Sequence, residues 1–257
     1  MLNEQTLFEN IKKVEEAILR LKTFEPHDGY YLAFSGGKDS CVIKSLANMA
    51  GVKYDAHYNY VGIDPPELTK FIKQYHTDVI WDKPKEKFFP ALIRKGFPLR
   101  QSRWCCDLLK EGGDCKNRRV ITGVRWDESA RRASRRMVEQ CFKHKKKTYL
   151  NVIIDWSESD VWEFIKKYNI PYCKLYDEGW KRIGCLFCPM SSHRKIELKL
   201  YPKFENAFRI NFRKLHKKRI SENNPSAQRW NNGDEMFDWW INEKQKTISS
   251  DQKVMFE

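Results

Sequence analysis

The sequence lacks the features of a membrane or exported protein. No apolar run approaches the roughly 20 residues that a membrane-spanning helix needs. The first ten residues, MLNEQTLFEN, show no basic stretch followed by an apolar one, as a secretion signal would. Internal repeats and low-complexity tracts are also absent. We therefore expect an intracellular, cytoplasmic protein without a membrane partner.

Acidic residues are in the minority. The 48 Lys and Arg residues outnumber the 34 Asp and Glu residues and give a net charge of +14. This excess favours a polyanionic partner, of which nucleic acid is the leading candidate. A basic enzyme that binds small anions would have the same balance, so charge alone does not separate the two.

No cysteine follows position 188, although the chain has eight: Cys41, Cys105, Cys106, Cys115, Cys141, Cys173, Cys185 and Cys188. Disulfides are not expected in a protein that is not secreted. Metal ligation or catalysis is therefore the better hypothesis for this set. We expect Cys41 to be a core residue and Cys141 and Cys173 to be structural. Cys115, in the polar segment GGDCKN, is either a plain loop residue or an exposed, reactive sulfur carrier.

Strand and helix patterns alternate from residue 30 to residue 168. Apolar residues at helical spacing predict a helix over 5–24, and proline and glycine then break it. Five predicted strands follow, at 30–34, 53–63, 78–81, 118–124 and 148–156. This alternation predicts an α/β fold, with a doubly wound, mainly parallel five-stranded sheet. We divide the chain into a domain over 1–190 and a basic, aromatic helical extension over 191–257.

A glycine loop follows the first of these strands. In SGGKDS, residues 35–40, the two glycines let backbone N–H groups approach an anion, and the next helix adds its positive N-terminus. Ser35 and Ser40 supply hydroxyls, and Lys38 can neutralise a phosphate. Asp39 would repel phosphate unless Mg²⁺ or the helix N-terminus compensates. Because ligands in such folds bind at the carboxyl ends of strands, this loop and TGVR at 122–125 should meet in one cleft.

The SGGKDS segment resembles the PP-loop of the adenine-nucleotide α-hydrolases, also called N-type ATP pyrophosphatases. Two further segments, YNYVGIDPPEL at 58–68 and TGVRWDESARRAS at 122–134, are similar to the phosphoadenosine phosphosulfate (PAPS) reductase family within that superfamily. The resemblance covers residues 30–190 and implies a Rossmann-like PP-loop fold. It implies catalytic roles for Lys38, Asp39 and Arg125. It also implies a nucleotide-binding set: Ser35, Gly36, Gly37, Lys38, Asp39, Ser40, Asp64, Gly123, Arg125, Ser129 and Arg132. In this reading Arg125 and Arg132 grip the phosphate or sulfate end of the nucleotide.

Four cysteines form two pairs, Cys105–Cys106 and the Cys185-x-x-Cys188 turn before a proline. Four thiolates suit Zn²⁺ or an iron–sulfur cluster, and spacing alone does not choose between them. A tandem Cys-Cys with a distant C-x-x-C is similar to the cluster-binding pattern of family members that act on adenylyl sulfate (APS). The resemblance therefore favours a [4Fe–4S] cluster, with zinc as the alternative.

One departure from the family decides the function that we expect. Sulfonucleotide reductases use a cysteine near the C-terminus to attack the sulfate sulfur, and this sequence has none after Cys188. We therefore favour ATP with Mg²⁺ as substrate, release of pyrophosphate, and sulfur transfer from a donor protein. Reduction of APS or PAPS by a relocated thiol is the first alternative. A non-catalytic regulatory protein that binds a nucleotide and a cluster is the second.

Nucleic acid is a candidate acceptor of the sulfur. The basic segments 131–136, 143–147 and 213–219 could contact a phosphate backbone. Trp230, Trp239 and Trp240 could stack on bases, although aromatic residues at helical spacing are more typical of a core.

Overall fold

The computed structural model describes residues 2–5, 10–110, 114–141 and 146–242. The chain forms two compact units. The first, here called the sheet unit, comprises Met1–Lys85 and Leu108–Cys185. The second, the helical unit, comprises Glu86–Asp107 and Leu186–Glu257. This division differs from the predicted boundary at residue 190, because residues 86–107 group with the C-terminal helices.

The sheet unit is built on a six-stranded sheet with the strand order β5-β4-β3-β6-β8-β7. Its strands are β3 (Tyr30–Ala33), β4 (Tyr54–Asn59), β5 (Ile80–Asp82), β6 (Arg119–Thr122), β7 (Val138–Gln140) and β8 (Thr148–Asn151). All neighbours are parallel except β7, which runs antiparallel to β8. The chain moves outward from β3 to β5 and then returns to the other side of β3 as β6. The switch point of the topology thus lies between β3 and β6, where such folds bind ligands.

The helices of this unit have the length and burial expected of a covered parallel sheet. They are α1 (Lys13–Thr23), α2 (Lys38–Ala50), α3 (Pro66–Tyr75), the short α6 (Ala130–Ala133) and α7 (Glu158–Lys167). Helix α2 packs against both α1 and α7, and its Val42, Ile43 and Leu46 are fully buried. Helix α2 ends at Gly51, whose φ of 68° is the left-handed conformation that glycine adopts without strain. Short 3-10 helices occupy Asp114–Asn117, Trp126–Glu128 and Lys174–Tyr176.

The helical unit has an aromatic core. Its helices are α4 (Phe88–Lys95), α8 (Arg194–Leu200), α9 (Pro202–Ser221) and α10 (Gly233–Asn242), and α5 (Trp104–Leu109) crosses the division between the units. A 3-10 helix occupies Pro225–Arg229. The ring of Trp240 lies 5.8 Å from that of Phe208 and 5.2 Å from that of Phe212. The indole N–H of Trp240 donates to the carbonyl of Pro98 at 2.7 Å. Trp230 and Trp240 are thus core residues, 6% and 1% exposed, and are not free to stack on bases.

Three sequence predictions need correction. The N-terminal helix begins at Lys13 rather than residue 5, because β2 (Asn10–Lys12) pairs with β1 (Asn3–Gln5) as an antiparallel hairpin. Part of the predicted helix, residues 6–9, lies outside the described residues. The sheet has a sixth strand, β7, which is too short for its periodicity to be recognised. The stretch after β5, for which the sequence predicts no element, contains α4 and α5. Within the described part of the chain, no helix is long and apolar enough to cross a membrane.

Candidate nucleotide site

The glycine loop turns directly from β3 into α2. Gly36 has a φ of 72°, and a Cβ atom on it would lie 2.7 Å from Leu68 and 2.8 Å from Ile72 of α3. The position therefore requires glycine for both its backbone angle and its packing. Ser40 Oγ donates to the carbonyl of Gly37 at 2.8 Å. The hydroxyls of the loop thus stabilise the turn itself.

Tyr176 closes the N-terminus of α2. Its hydroxyl oxygen accepts the backbone N–H of Lys38 at 3.0 Å, and it would lie 3.3 Å from a Cβ atom on Gly37. Burial raises the pKa of Tyr176, so the phenol is neutral at physiological pH. The hydroxyl therefore occupies the position at which a phosphate oxygen would accept a backbone N–H.

Two cations and two carboxylates form a closed ring beside the loop. Arg125 Nε donates to Asp39 at 2.7 Å, and its terminal nitrogen Nη2 donates to Glu158 at 2.8 Å. Lys38 Nζ lies 3.3 Å from the other oxygen of Glu158 and 3.6 Å from Asp39. Lys38 and Arg125 are 4% and 2% exposed, whereas the Glu158 side chain is 50% exposed. We name these four residues the ion-pair ring.

Arg125 occupies the centre of the ion-pair ring. A third guanidinium nitrogen, Nη1, lies 3.4 Å from the carbonyl of Trp156. Burial lowers the pKa of Arg125, but Asp39 and Glu158 more than compensate, and the pKa lies above its usual value. Because its donors are engaged by protein oxygens, the geometry favours a role in positioning Asp39 and Glu158 rather than the predicted direct grip on phosphate.

Gly123 permits the two predicted motifs to meet. A Cβ atom on this residue would lie 2.9 Å from Cβ of Asp39 and 3.1 Å from the Asp39 carbonyl carbon. The loop after β6 therefore packs directly on the first turn of α2. This contact, together with the Arg125–Asp39 pair, confirms that the segments 35–40 and 122–125 meet.

Ser129 and Arg132 lie further along the same segment. The hydroxyl of Ser129 accepts the backbone N–H of Arg132 at 3.4 Å and caps α6. The guanidinium of Arg132 pairs with Glu128, and 30% of the Arg132 side chain is exposed. Arg132 is therefore more accessible to an anionic ligand than Arg125.

Asp64 is buried at the carboxyl end of β4. Its carboxylate accepts the backbone N–H of Val61 at 3.2 Å and lies 3.8 Å from Sγ of Cys185. Burial raises its pKa, and the nearby Lys110 only partly opposes that effect. The structure thus places Asp64 beside a thiol, and no contact between its side chain and the glycine loop is observed among the described residues.

Three further thiols of the sheet unit are enclosed, whereas Cys141 is half-buried. Cys41 and Cys173 are 1% and 0% exposed, and burial raises the pKa of both. Cys115 is 4% exposed, with its sulfur 3.0 Å from the ammonium of Lys147. Of the two alternatives for Cys115, the structure does not support the exposed sulfur carrier, because the residue lies in a 3-10 helix that packs against Tyr31 and Val120.

The four predicted metal ligands fall on both compact units. Cys185 ends the sheet unit, and Cys105, Cys106 and Cys188 belong to the helical unit. All four are half-buried. Across the described ranges, no three Cys, His, Asp or Glu side chains form a group that could hold a metal ion. Four thiols remain a suitable donor set for iron or zinc by their chemistry, and the cluster stays a prediction.

Sequence reasoning missed Tyr176 and Glu158. Glu158 begins α7 directly after the last predicted strand, so its position at the carboxyl edge could have been inferred from the strand order. Tyr176 lies on a 3-10 helix after α7, and no pattern in the sequence relates it to the glycine loop 138 residues earlier.

The chain is similar to a known protein family and to several known proteins. Residues 29–191 match the family model described as the phosphoadenosine phosphosulfate reductase domain. An adenosine 5′-phosphosulfate reductase of Geobacillus thermodenitrificans is 37% identical over 129 residues, which cover 48% of this chain and 51% of that protein. A probable FAD synthase of Caenorhabditis briggsae is 27% identical over 191 residues, 68% of this chain and 33% of that protein.

Two uncharacterised proteins of Methanocaldococcus jannaschii are 32% and 33% identical, and this chain spans only 41% and 45% of their lengths. Among solved structures, the phosphoadenylyl-sulfate reductase of Candida auris in its phosphate complex superimposes with a TM-score of 0.52 at 19% identity. The match covers 70% of this chain and 90% of that one. It supports the α/β fold with its mostly parallel sheet.

Proposed function

Because the chain belongs to the phosphoadenosine phosphosulfate reductase domain family, we propose that it is an enzyme that binds ATP at the glycine loop and transfers the adenylyl group. The observation that carries this proposal is the ion-pair ring at the switch point of the sheet. It fixes a buried ammonium and a partly exposed carboxylate pair beside a helix N-terminus, which is the charge arrangement that a polyphosphate with a bound cation requires.

Asp39 and Glu158 are the residues that would hold Mg²⁺ together with ATP. Mg²⁺ in nucleotide sites usually takes one or two protein carboxylates and completes its shell with phosphates and water. The two carboxylates of Asp39 and Glu158, without a third protein ligand, match this usual coordination of Mg²⁺. The ion would neutralise charge on the departing pyrophosphate.

The reaction that we propose has two displacements. An acceptor oxygen attacks the α-phosphorus of ATP, the bond to the β-phosphate oxygen breaks, and pyrophosphate leaves. A sulfide equivalent from a donor protein then attacks the acceptor carbon, and AMP leaves with the acceptor oxygen. In both steps the Lys38 ammonium and the amides at the start of α2 that Tyr176 does not engage would hold the nucleotide phosphates, while Arg125 keeps the two carboxylates in place.

Three buried thiols of the sheet unit favour adenylyl transfer over sulfonucleotide reduction. Attack on a sulfate sulfur needs a thiolate that can reach the substrate. Cys41, Cys115 and Cys173 are buried, and the raised pKa values of Cys41 and Cys173 keep them protonated. Similarity to a probable FAD synthase is consistent with adenylyl transfer.

Reduction of APS or PAPS is the second candidate. Similarity to an adenosine 5′-phosphosulfate reductase favours it, and half-buried Cys185, beside Asp64, is a candidate thiol. Sulfite release from APS or PAPS with a thiol reductant, abolished in Cys185→Ser, would establish this reaction.

Pyrophosphate release from ATP and Mg²⁺ tests the first candidate. We expect release by the purified chain and a loss of about tenfold or more in Asp39→Asn. Asp28→Asn, which removes an exposed carboxylate of the same unit, is the matched control and should behave as wild type. Tight ATP binding without any turnover, with or without acceptor nucleic acid, would instead indicate the regulatory protein.

We further propose that Cys105, Cys106, Cys185 and Cys188 hold a [4Fe–4S] cluster. The support is the donor chemistry and the paired spacing of the four thiols. Iron and acid-labile sulfide should be present after anaerobic purification and absent from Cys188→Ser. Stoichiometric zinc without iron would refute the cluster in favour of the zinc alternative.

A further inference from the structure

A groove of about 380 Å³ lies on the sheet unit, apart from the glycine loop. It is lined by Tyr60, Thr69, Lys73, Trp81 and Lys83. Tyr60 directly follows β4, Trp81 belongs to β5, Lys83 directly follows β5, and Thr69 and Lys73 lie on α3. Two aromatic rings and two ammonium groups thus share one concave surface.

The aromatic side of the groove is rigid. The Trp81 ring lies 4.9 Å from that of buried Tyr58, in an edge-on arrangement, and 5.6 Å from that of Tyr60. Packing on Tyr58 fixes the indole while part of its surface stays accessible. A preorganised ring of this kind can stack on a planar ligand at little entropic cost.

The charge in the groove is not compensated. Lys73 and Lys83 are exposed, and neither has a carboxylate partner within the described part of the chain. Lys73 Nζ lies 5.6 Å from the centre of the Trp81 ring. The nearest acidic neighbour in sequence, Asp82, is engaged elsewhere, since it bonds His57 at 2.9 Å and Tyr31 at 3.2 Å. The groove therefore attracts anions.

The groove and the glycine loop open at the same edge of the sheet. Strands β3, β4 and β5 are parallel neighbours, so their carboxyl ends lie side by side. Two strand spacings amount to about 10 Å, which is the order of the distance between the loop after β3 and the groove after β5. A ligand of more than one nucleotide could therefore reach from one to the other.

We propose that this groove binds a nucleotide of single-stranded nucleic acid, with the base on Trp81 and the backbone phosphate on Lys73 and Lys83. Accessible aromatic rings beside exposed lysines are the combination that binds single strands without reading sequence. The chain's net charge of +14 also favours binding of a polyanion such as nucleic acid. Nucleic-acid binding in the groove does not depend on the proposed function. Only the purpose of that binding, which is to hold the acceptor of the adenylyl group near ATP, rests on it.

Equilibrium binding of short fluorescein-labelled single-stranded RNA and DNA, followed by anisotropy, tests the groove without requiring turnover. Trp81→Ala should weaken binding by about tenfold or more, and Trp81→Phe should retain most of the affinity. The double variant Lys73→Glu/Lys83→Glu should lower the slope of log affinity against log salt by about 1.4, since each phosphate contact on a single strand contributes about 0.7.

The matched control is Lys22→Glu/Lys53→Glu. It changes net charge equally, but Lys53 precedes β4 at the opposite edge of the sheet and Lys22 lies on α1. Its oligonucleotide affinity should remain much closer to wild type than that of the groove variant. Circular dichroism and ATP binding verify that every variant is folded.

The proposal would be overturned by a lack of oligonucleotide binding in the wild-type chain, by equal losses in the two double variants, or by unchanged affinity in Trp81→Ala. A groove variant that loses ATP binding but not oligonucleotide binding would overturn it as well. Failure of pyrophosphate release with groove-dependent oligonucleotide binding intact would refute the proposed reaction alone.

Discussion

His76 is a buried imidazole held between a lysine and a thiol. Its Nδ1 lies 3.4 Å from the ammonium of Lys44, and its Nε2 lies 3.8 Å from Sγ of Cys41. Burial and the Lys44 charge lower its pKa to about 4, against a smaller opposing effect of Asp78. The imidazole is therefore neutral at physiological pH, unlike an exposed histidine in mild acid.

Because the pKa of His76 is lowered, the free energy of unfolding should depend on pH even at values above those at which ordinary carboxylates titrate. The unfolded chain protonates His76 near pH 6.5 and the folded chain only near pH 4. The unfolded state thus binds more protons between these values, and the free energy of unfolding should fall by up to about 3 kcal/mol as pH decreases from 6.5 to 4. Urea unfolding at several pH values measures the loss.

His76→Gln is the control for that prediction, because the amide keeps hydrogen-bonding capacity without titrating. Between pH 6.5 and 4.5 its unfolding free energy should fall less than that of the wild type, by the contribution of His76, while the raised pKa of Asp64 acts in the opposite direction in both proteins. The paired carboxylates Asp55, Asp78 and Asp155 have lowered pKa values and add their own losses only at more acidic pH. An equal loss in wild type and His76→Gln would contradict the assignment to His76.

At the scale of elements, the alternation of strands and helices was sufficient to predict that the glycine loop and the segment after β6 meet. The glycines and the strand ends located the segments 35–40 and 122–125, because carboxyl ends of parallel strands share an edge. The partners of Arg125 were not predictable from spacing. Glu158 reaches the site because α7 begins at the carboxyl edge of the sheet. Tyr176 reaches it on the 3-10 helix that follows α7. Strand β7 and the hairpin β1–β2 were missed because three residues carry too little periodicity.

Gly123 joins the loop after β6 to helix α2, and a larger residue should separate them. The added methyl of Gly123→Ala would lie 2.9 Å from Asp39 Cβ and 3.1 Å from its backbone. We expect a loss of about 1–3 kcal/mol in the free energy of unfolding and weaker ATP binding, because Asp39 must move. Chemical denaturation and calorimetric titration with ATP measure the two effects.

Gly184→Ala is the matched control, since nothing lies within 4 Å of a Cβ atom at that glycine. It belongs to the same sheet unit and should leave both quantities near their wild-type values. Wild-type ATP affinity in Gly123→Ala would show that the Gly123–Asp39 contact does not position the site.

At the scale of the whole molecule, the tryptophans of the C-terminal segment stabilise a core instead of contacting a ligand. Trp239 and Trp240 are adjacent in sequence but differ in environment, since Trp240 is 1% exposed and Trp239 is half-buried. The Trp239 ring instead faces the guanidinium of Arg229 at 4.5 Å. The helical spacing of the aromatic residues predicted this packing. That residues 86–107 belong to the same unit could be recognised only from the tertiary structure.

Substitution of the two tryptophans should separate their contributions to the helical unit. Trp240→Ala removes a buried ring and a hydrogen bond to Pro98, and should cost about 3–5 kcal/mol of unfolding free energy. Trp239→Ala should cost distinctly less because its ring is already partly hydrated. Urea denaturation followed by circular dichroism measures both, and a greater loss in Trp239→Ala would contradict this view of the core.

The two outermost strands of the sheet have a consequence for the behaviour of the chain at high concentration. Both β5 and β7 contain only three residues, so each edge offers few unpaired backbone groups to a second molecule. Pro84, two residues after β5, supplies no N–H with which a pairing could extend. Short, interrupted edges of this kind oppose strand addition between molecules. The same brevity that hides β7 from sequence patterns helps to protect the sheet against aggregation.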